Sequence, residues 1–202
     1  MLKTILRLAA TLLCLVLTTN ASAGEAMNLV KSKQEQLFKV VAEPKSDEQQ
    51  TKLNKLFDEM IAYEEFAARS LGDAWQKRTD DEKKRFSSLL TDLIRANYRK
   101  SIKKLLDFDI RYDKESTSGP VTAVATLAKH KTKSSEPEIE VDFKLEKVGS
   151  SFKVVDIETE KVSMVKNFRK SFLKVLEKDG FEALIAKMQK KLDKLNKKLK
   201  KG

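Results

Sequence analysis

Few side chains in this chain of 202 residues could do chemistry, and their spacing does not assemble them. His130 is the only histidine, and it stands among Lys129, Lys131 and Lys133 at a hairpin with no carboxylate pair beside it. A general base needs an orienting partner, and a metal site needs several donors converging on one point. His130 has neither, so it reads as a solvated loop residue. Carboxylates are abundant, but Glu64-Glu65 falls on a polar face, and Asp80-Asp81-Glu82 suits the acidic first turn of a helix. Cys14, the only cysteine, sits inside an apolar run and reads as a neutral filler. No phosphate-cradling glycine loop, nucleophile elbow or metal-spaced cluster occurs. Catalysis is not expected. What remains are apolar side chains in periodic stripes, whose chemistry is removal of surface from water.

Those stripes define the elements. Leu29, Leu37, Val40 and Val41 carry a modest helical period that Pro44 breaks. Ser46 and Gln49 resemble a capping box, followed by Leu53, Leu56, Phe57, Met60 and Ile61 on one helical face. Phe66, Leu71 and Trp75 mark shorter helical pieces interrupted near Gly72. The sharpest local signal is Thr79 with Glu82, a capping box opening a long helix through Phe86, Leu89, Leu90, Leu93, Ile94, Tyr98, Ile102 and Leu105. This helix is expected to be the spine on which a sheet lies.

The period then becomes twofold. Phe108, Ile110 and Tyr112 alternate with charged residues, and Ser118-Gly119-Pro120 turns the chain. A second strand places Val121, Ala123, Ala125 and Leu127 on one face, where the small residues would leave room beneath a helix. A third carries Ile139, Val141, Phe143 and Leu145, and Gly149-Ser150-Ser151 leads into a fourth from Phe152. Short connections imply an antiparallel meander. Helical spacing returns through Val165, Phe168, Phe172 and Leu176, stops at Asp179-Gly180 as at a glycine cap, and resumes from Leu184 to Leu199. The expected fold is α+β: a four-stranded antiparallel sheet wrapped on one face by several helices. Periodicity leaves open whether sheet and helices meet tightly or enclose a ligand-sized gap.

At the N-terminus, Lys3 and Arg7 precede an apolar run from Leu8 to Leu17, and Ala21-Ser22-Ala23 supplies small residues for cleavage. Residues 1–23 therefore read as a signal peptide, leaving 24–202 as a single domain without cysteine. The full chain carries 41 basic and 30 acidic residues. Much of that excess sits in Lys187–Lys201, where eight lysines accompany only Asp193. Basic residues gathered in one tail do not make a nucleic-acid docking face. Two readings of the helical tail 187–202 stay open: docking to an anionic membrane surface or acidic partner, and a solvated helix end.

Two segments together carry a family resemblance. The first is Leu71-Gly72-Asp73-Ala74-Trp75 with Thr79, Glu82, Phe86, Leu89-Leu90 and Tyr98. The second is Val141-Asp142-Phe143-Lys144-Leu145, then Val154-Val155-Asp156-Ile157, Val162-Ser163, Asn167-Phe168-Arg169, Phe172 and Gly180. In order and spacing the mature chain resembles the MlaC, or toluene-tolerance, family of periplasmic phospholipid-binding proteins. Phe152 stands where that family often has Trp, Lys161 where it has Gly, and Phe168 where it has Tyr. The resemblance implies a carrier without catalytic residues or cofactor, holding phospholipid as cargo in a cleft between sheet and helices. It also implies two partners, an inner-membrane ABC transporter complex and an outer-membrane lipoprotein complex. The expected lining is Leu90, Ile94, Tyr98, Ile102, Val141, Phe143, Val155 and Ile157. A competing reading is a periplasmic chaperone that holds unfolded chains in the same cleft.

Overall fold

The computed structural model describes residues 24–133 and 135–201, so the predicted export segment 1–23, with Cys14, lies outside the described residues. Helix α1 (Glu25–Ala42) buries Ala26, Val30, Leu37 and Val41 and stops just before Pro44. Helix α2 (Asp47–Met60) opens on Ser46, whose hydroxyl accepts the Gln49 amide at 3.0 Å. The reciprocal half of the expected capping box is absent. Gln49 is buried, and its side-chain amide donates to the carbonyls of Val40 (2.9 Å) and Glu43 (2.7 Å) at the end of α1. Helix C-termini leave such carbonyls without partners, and here the polar side chain is spent on them.

Helices α3 (Tyr63–Leu71) and α4 (Asp73–Gln76) flank Gly72, at φ 55° and ψ −132°. A β-carbon there would lie 3.3 Å from Nε of Arg169. That guanidinium donates twice to the Arg69 carbonyl, at 2.8 and 2.6 Å, and so places a cation on the negative end of α3. Gly72 and Arg169, far apart in sequence, thus form one cap. Helix α5 (Asp80–Ser101) has the complete box at Thr79 and Glu82, with bonds of 3.2 and 2.9 Å. It is shorter than its apolar period suggested, because Ile102–Asp107 winds as a 3-10 turn.

Strands β1 (Phe108–Ser118), β2 (Val121–His130), β3 (Ile139–Val148) and β4 (Ser151–Thr159) form the expected antiparallel meander. A two-residue β5 (Val162–Ser163) makes the sheet five-stranded rather than four-stranded. Its turn, Glu160–Lys161, has both φ values positive (50° and 62°), a mirror-image hairpin that normally takes Gly or Asn. Bonds from the Glu160 amide to the Glu140 carbonyl (3.0 Å) and from the Glu140 amide to the Glu160 carboxylate (2.8 Å) hold it. His130 ends β2 instead of lying in a loop, with its ring edge on Phe108 at 5.0 Å.

Two expectations about the sheet are corrected. The buried face of β2 carries Thr122, Val124, Thr126 and Ala128, while Ala123 and Ala125 lie on the outer, half-buried face. The threonines go inward because their hydroxyls find partners: Thr126 donates to the Val141 carbonyl at 2.7 Å, and Thr122 bonds Thr117 at 3.0 Å. Outside, Ala123 and Ala125 sit opposite Lys144 and Asp142, and Lys144 pairs with Glu158 at 3.1 Å. Nor is α5 the spine of the sheet. Ala26 and Val30 of α1 cover Val124, Leu145 and Val154, whereas α5 packs chiefly on α6 and α3 in a helical core.

Helix α6 (Met164–Lys201) bends at Gly180 (φ 82°, ψ 178°), giving arms 164–179 and 181–201 where two helices were expected. Its start is anchored on the sheet. Asp156 accepts from the Ser163 hydroxyl (2.5 Å) and the Val165 amide (3.0 Å), and Ser163 in turn accepts from the Lys166 amide at 3.0 Å. The basic stretch that begins at Lys187 belongs to the second arm, as the helical period implied. It is the outer side of the second arm, whose inner residues Met188 and Leu192 are buried.

Candidate functional site

An apolar cavity of about 220 Å³ opens between α5 and both arms of α6. From α5 it takes Leu93, Ile94, Asn97 and Tyr98. The first arm of α6 contributes Met164, Phe168, Ser171, Phe172 and Val175, and the second Leu184, Lys187, Met188, Lys191 and Leu195. The bend at Gly180 makes this wall possible. A straight helix would carry the second arm away from α5, whereas φ 82° with ψ 178° folds it back, in a backbone region that is essentially glycine-only. Nothing crowds a β-carbon at Gly180, so the requirement is conformational rather than steric.

An aromatic cluster fixes the floor. Phe168 and Phe172 stack at 5.4 Å, Phe172 meets Phe86 edge-on at 5.3 Å, and Phe86 meets Trp75 at 6.4 Å. Tyr98 stacks on Phe57 of α2 at 5.0 Å. The polar groups stand at the rim, where exposed Lys187 pairs with Asp179 across the bend at 2.6 Å. Its ammonium holds the Asp179 carboxyl below the usual carboxylate range. Among the described residues no three His, Cys, Asp or Glu side chains are grouped to hold a metal ion, and no helix is long and apolar enough to cross a membrane.

The family described as MlaC protein matches residues 31–190, most of the chain and all of the cavity lining but Lys191 and Leu195. The chain belongs to the MlaC family. No curated protein matches it. Among solved structures it is similar to the phospholipid-binding protein from Ralstonia solanacearum, determined in complex with a phospholipid. The TM-score is 0.74 at 14% identity, over 85% of this chain and 99% of that one. At that identity the likeness is one of fold.

For this MlaC-family chain, two of the eight expected lining residues border the cavity. Ile94 and Tyr98 line the cavity. Leu90, one turn earlier, is buried in the helical core, and Ile102 lines a separate groove. The sheet candidates do not line the cavity: Phe143 and Ile157 pack in the cluster under α1, Val141 is half-buried on β3, and Val155 is fully buried. The cavity of about 220 Å³ is bounded by helices, and α1 covers the sheet. Phe168, Phe172, Leu184, Met188 and Leu195 were overlooked as lining, although their helical spacing was plain.

Burial also pushes the Tyr98 phenol up to about 12 from its ordinary 10. The folded protein then keeps this proton at pH values where the unfolded chain releases it. Its contribution to stability is complete below pH 10 and is lost as pH rises from 10 to about 12. Tyr98→Phe keeps the stack on Phe57 and removes the titration. Denaturant unfolding across that range should show a shallower loss of stability in the variant than in the parent.

Proposed function

We propose that this protein is a soluble periplasmic lipid carrier that binds phospholipid acyl chains in the α5–α6 cleft and catalyses no reaction. In this reading residues 1–23 are a cleaved export signal, and the carrier shuttles between an inner-membrane ABC transporter complex and an outer-membrane lipoprotein complex. The observation that carries it is an apolar cavity opening at a helix seam, with its charged groups confined to the rim. Membership of the MlaC family and a fold shared with a phospholipid-binding protein support the same reading.

The energetics explain why such a site needs little chemistry. Burying a methylene gains ~0.8 kcal/mol, so roughly 30 of them amount to about 20 kcal/mol or more that bare lipid forfeits in water. A carrier succeeds by offering an environment nearly as good as the bilayer, so that each handover is almost balanced. Few polar anchors serve that end. The cavity of about 220 Å³ is smaller than the ~300–1,000 Å³ of pockets that enclose small ligands. Loading therefore requires the second arm of α6 to swing from α5, with Gly180 as the pivot.

Organic extraction and mass spectrometry of the protein isolated from its native compartment test this. Phospholipid should co-purify, with a protein mass placing the N-terminus at Gly24. A delipidated, folded protein that takes up no phospholipid from labelled vesicles would overturn the reading.

A further inference from the structure

A bulge in β1 turns one carboxylate inward. The register with β2 shifts between Tyr112 and Lys114, leaving Asp113 as the extra residue. Strict alternation from Ile110 and Tyr112 would put Lys114 on the face that α1 covers and Glu115 on the outside. The extra residue reverses this, and Glu115 stands opposite buried Val124. There its carboxylate reaches the first turn of α1, accepting from the Gly24 nitrogen at 3.1 Å and the Met27 amide at 2.7 Å. Gly24 is the N-cap of α1 and has no side chain to close it, so the sheet supplies the cap.

The surrounding charges single Glu115 out. It borders a recess of about 510 Å³ together with Glu25 of α1 and Glu146 and Lys147 of β3. Glu146 is paired with Arg69 at 2.7 Å, and Glu25 with Lys147 at 3.7 Å. Among the described residues Glu115 alone of these carboxylates pairs with no side-chain cation. The nitrogen it faces is the one that hydrolysis after Ala23 frees. Water added across the Ala23–Gly24 bond leaves a carboxylate on Ala23 and an amine on Gly24. With an ordinary pKa of ~7.7–8.0, that amine takes up a proton at neutral pH.

We infer that Glu115 is the receptor for the processed chain terminus: the Gly24 α-ammonium binds its carboxylate, and this ion pair fastens α1 to the sheet once the export signal is removed. The peptide amide of the precursor makes the same hydrogen bond without the charge, and a charge-assisted bond is roughly twice as strong. Ala26 and Val30, which cover Val124, Leu145 and Val154, follow directly in α1, so the pair secures the helix that closes the sheet. Processing then completes the fold as well as releasing the protein. The inference rests on cleavage after Ala23, one part of the proposed function, and not on lipid binding.

Chains 24–202 and 21–202, each with a free N-terminus, test it by denaturant unfolding. The longer chain keeps a peptide amide at Gly24 and moves its ammonium to Ala21. At about pH 7 the shorter chain should have a folding constant roughly fivefold higher, the difference between a charged and a neutral hydrogen bond. The Glu115 carboxylate raises the folded pKa of the ammonium, so this advantage is complete below pH ~7.7 and is lost as pH rises through ~8.5. Side chains common to both chains cancel in the difference. In the shorter chain, isotope-labelled Gly24 should titrate about 0.7 above its ordinary value by NMR, the same factor of five. Glu115→Gln should return that titration to the ordinary value and erase the advantage of the shorter chain. Equal stability of the two chains overturns the inference, as does an advantage that persists at about pH 10 or survives Glu115→Gln. If Glu115→Gln does not fold, the Gly24 titration decides alone, and a value at or below the ordinary one overturns the inference. A native protein whose mass begins at another residue overturns the processing site and the inference with it. Lipid uptake, which tests the carrier reading, is read separately from all of these.

Discussion

Phe86→Ala is expected to lower the free energy of unfolding by about 3–5 kcal/mol, the range for deleting a buried aromatic ring. Phe86 has no solvent exposure and joins the two halves of the helical core. One edge meets Trp75 of α4 and another Phe172 of α6, so removal takes two aromatic contacts as well as the transfer free energy of the ring. The site cannot collapse easily. Phe172 is held by its stack on Phe168, and α5 is pinned at its start by the Thr79 box. A cavity therefore remains. Denaturant unfolding should show a much lower midpoint with an unchanged slope. A loss under about 1 kcal/mol would mean that the cluster relaxes freely and does not brace the cleft floor.

How much of this was legible depends on whether local chemistry or a tertiary neighbour made the choice. The Thr79–Glu82 box and the glycine at position 180 were readable because each signal is complete within a few residues. The half-box at Ser46 was not, since the partners of Gln49 are carbonyls at the end of another helix. Alternation located β2 but not its inner face, because both faces carry residues of similar size and the decision rests on hydroxyl partners in β1 and β3. On β4 alternation itself fails. Leu145 pairs with Val154 and Lys144 with Asp156, so Val155 is an extra residue, and two successive valines are both buried. Motif residues that looked unrelated, such as Gly72 with Arg169 and Asp156 with Ser163, turn out to be the two halves of single caps. The helix that covers the sheet was misread for one physical reason. Which helix covers the sheet is set by α1, whose stripe in the sequence is modest, and that left the stronger stripe of α5 free to face α6.

Ser171→Trp should separate stability from lipid uptake, raising the first slightly while reducing the second at least about a hundredfold. Ser171 lines the cavity from the first arm of α6 yet is itself exposed, and its hydroxyl makes no hydrogen bond among the described residues that the change would break. Serine and tryptophan have similar helix propensities, so the backbone has little reason to object. The indole has an apolar cavity to enter, and filling such space commonly adds ~0.5–2 kcal/mol. Every acyl methylene it excludes removes ~0.8 kcal/mol of binding, so displacing four lowers affinity by about 3 kcal/mol, a factor of a hundred or more. Labelled-vesicle uptake and denaturant unfolding on the same preparation check both halves. Val141→Ala, on the strand side, should leave uptake as it is. If the sheet variant loses uptake and Ser171→Trp does not, the lipid lies against the strands, and the helix seam is packing alone.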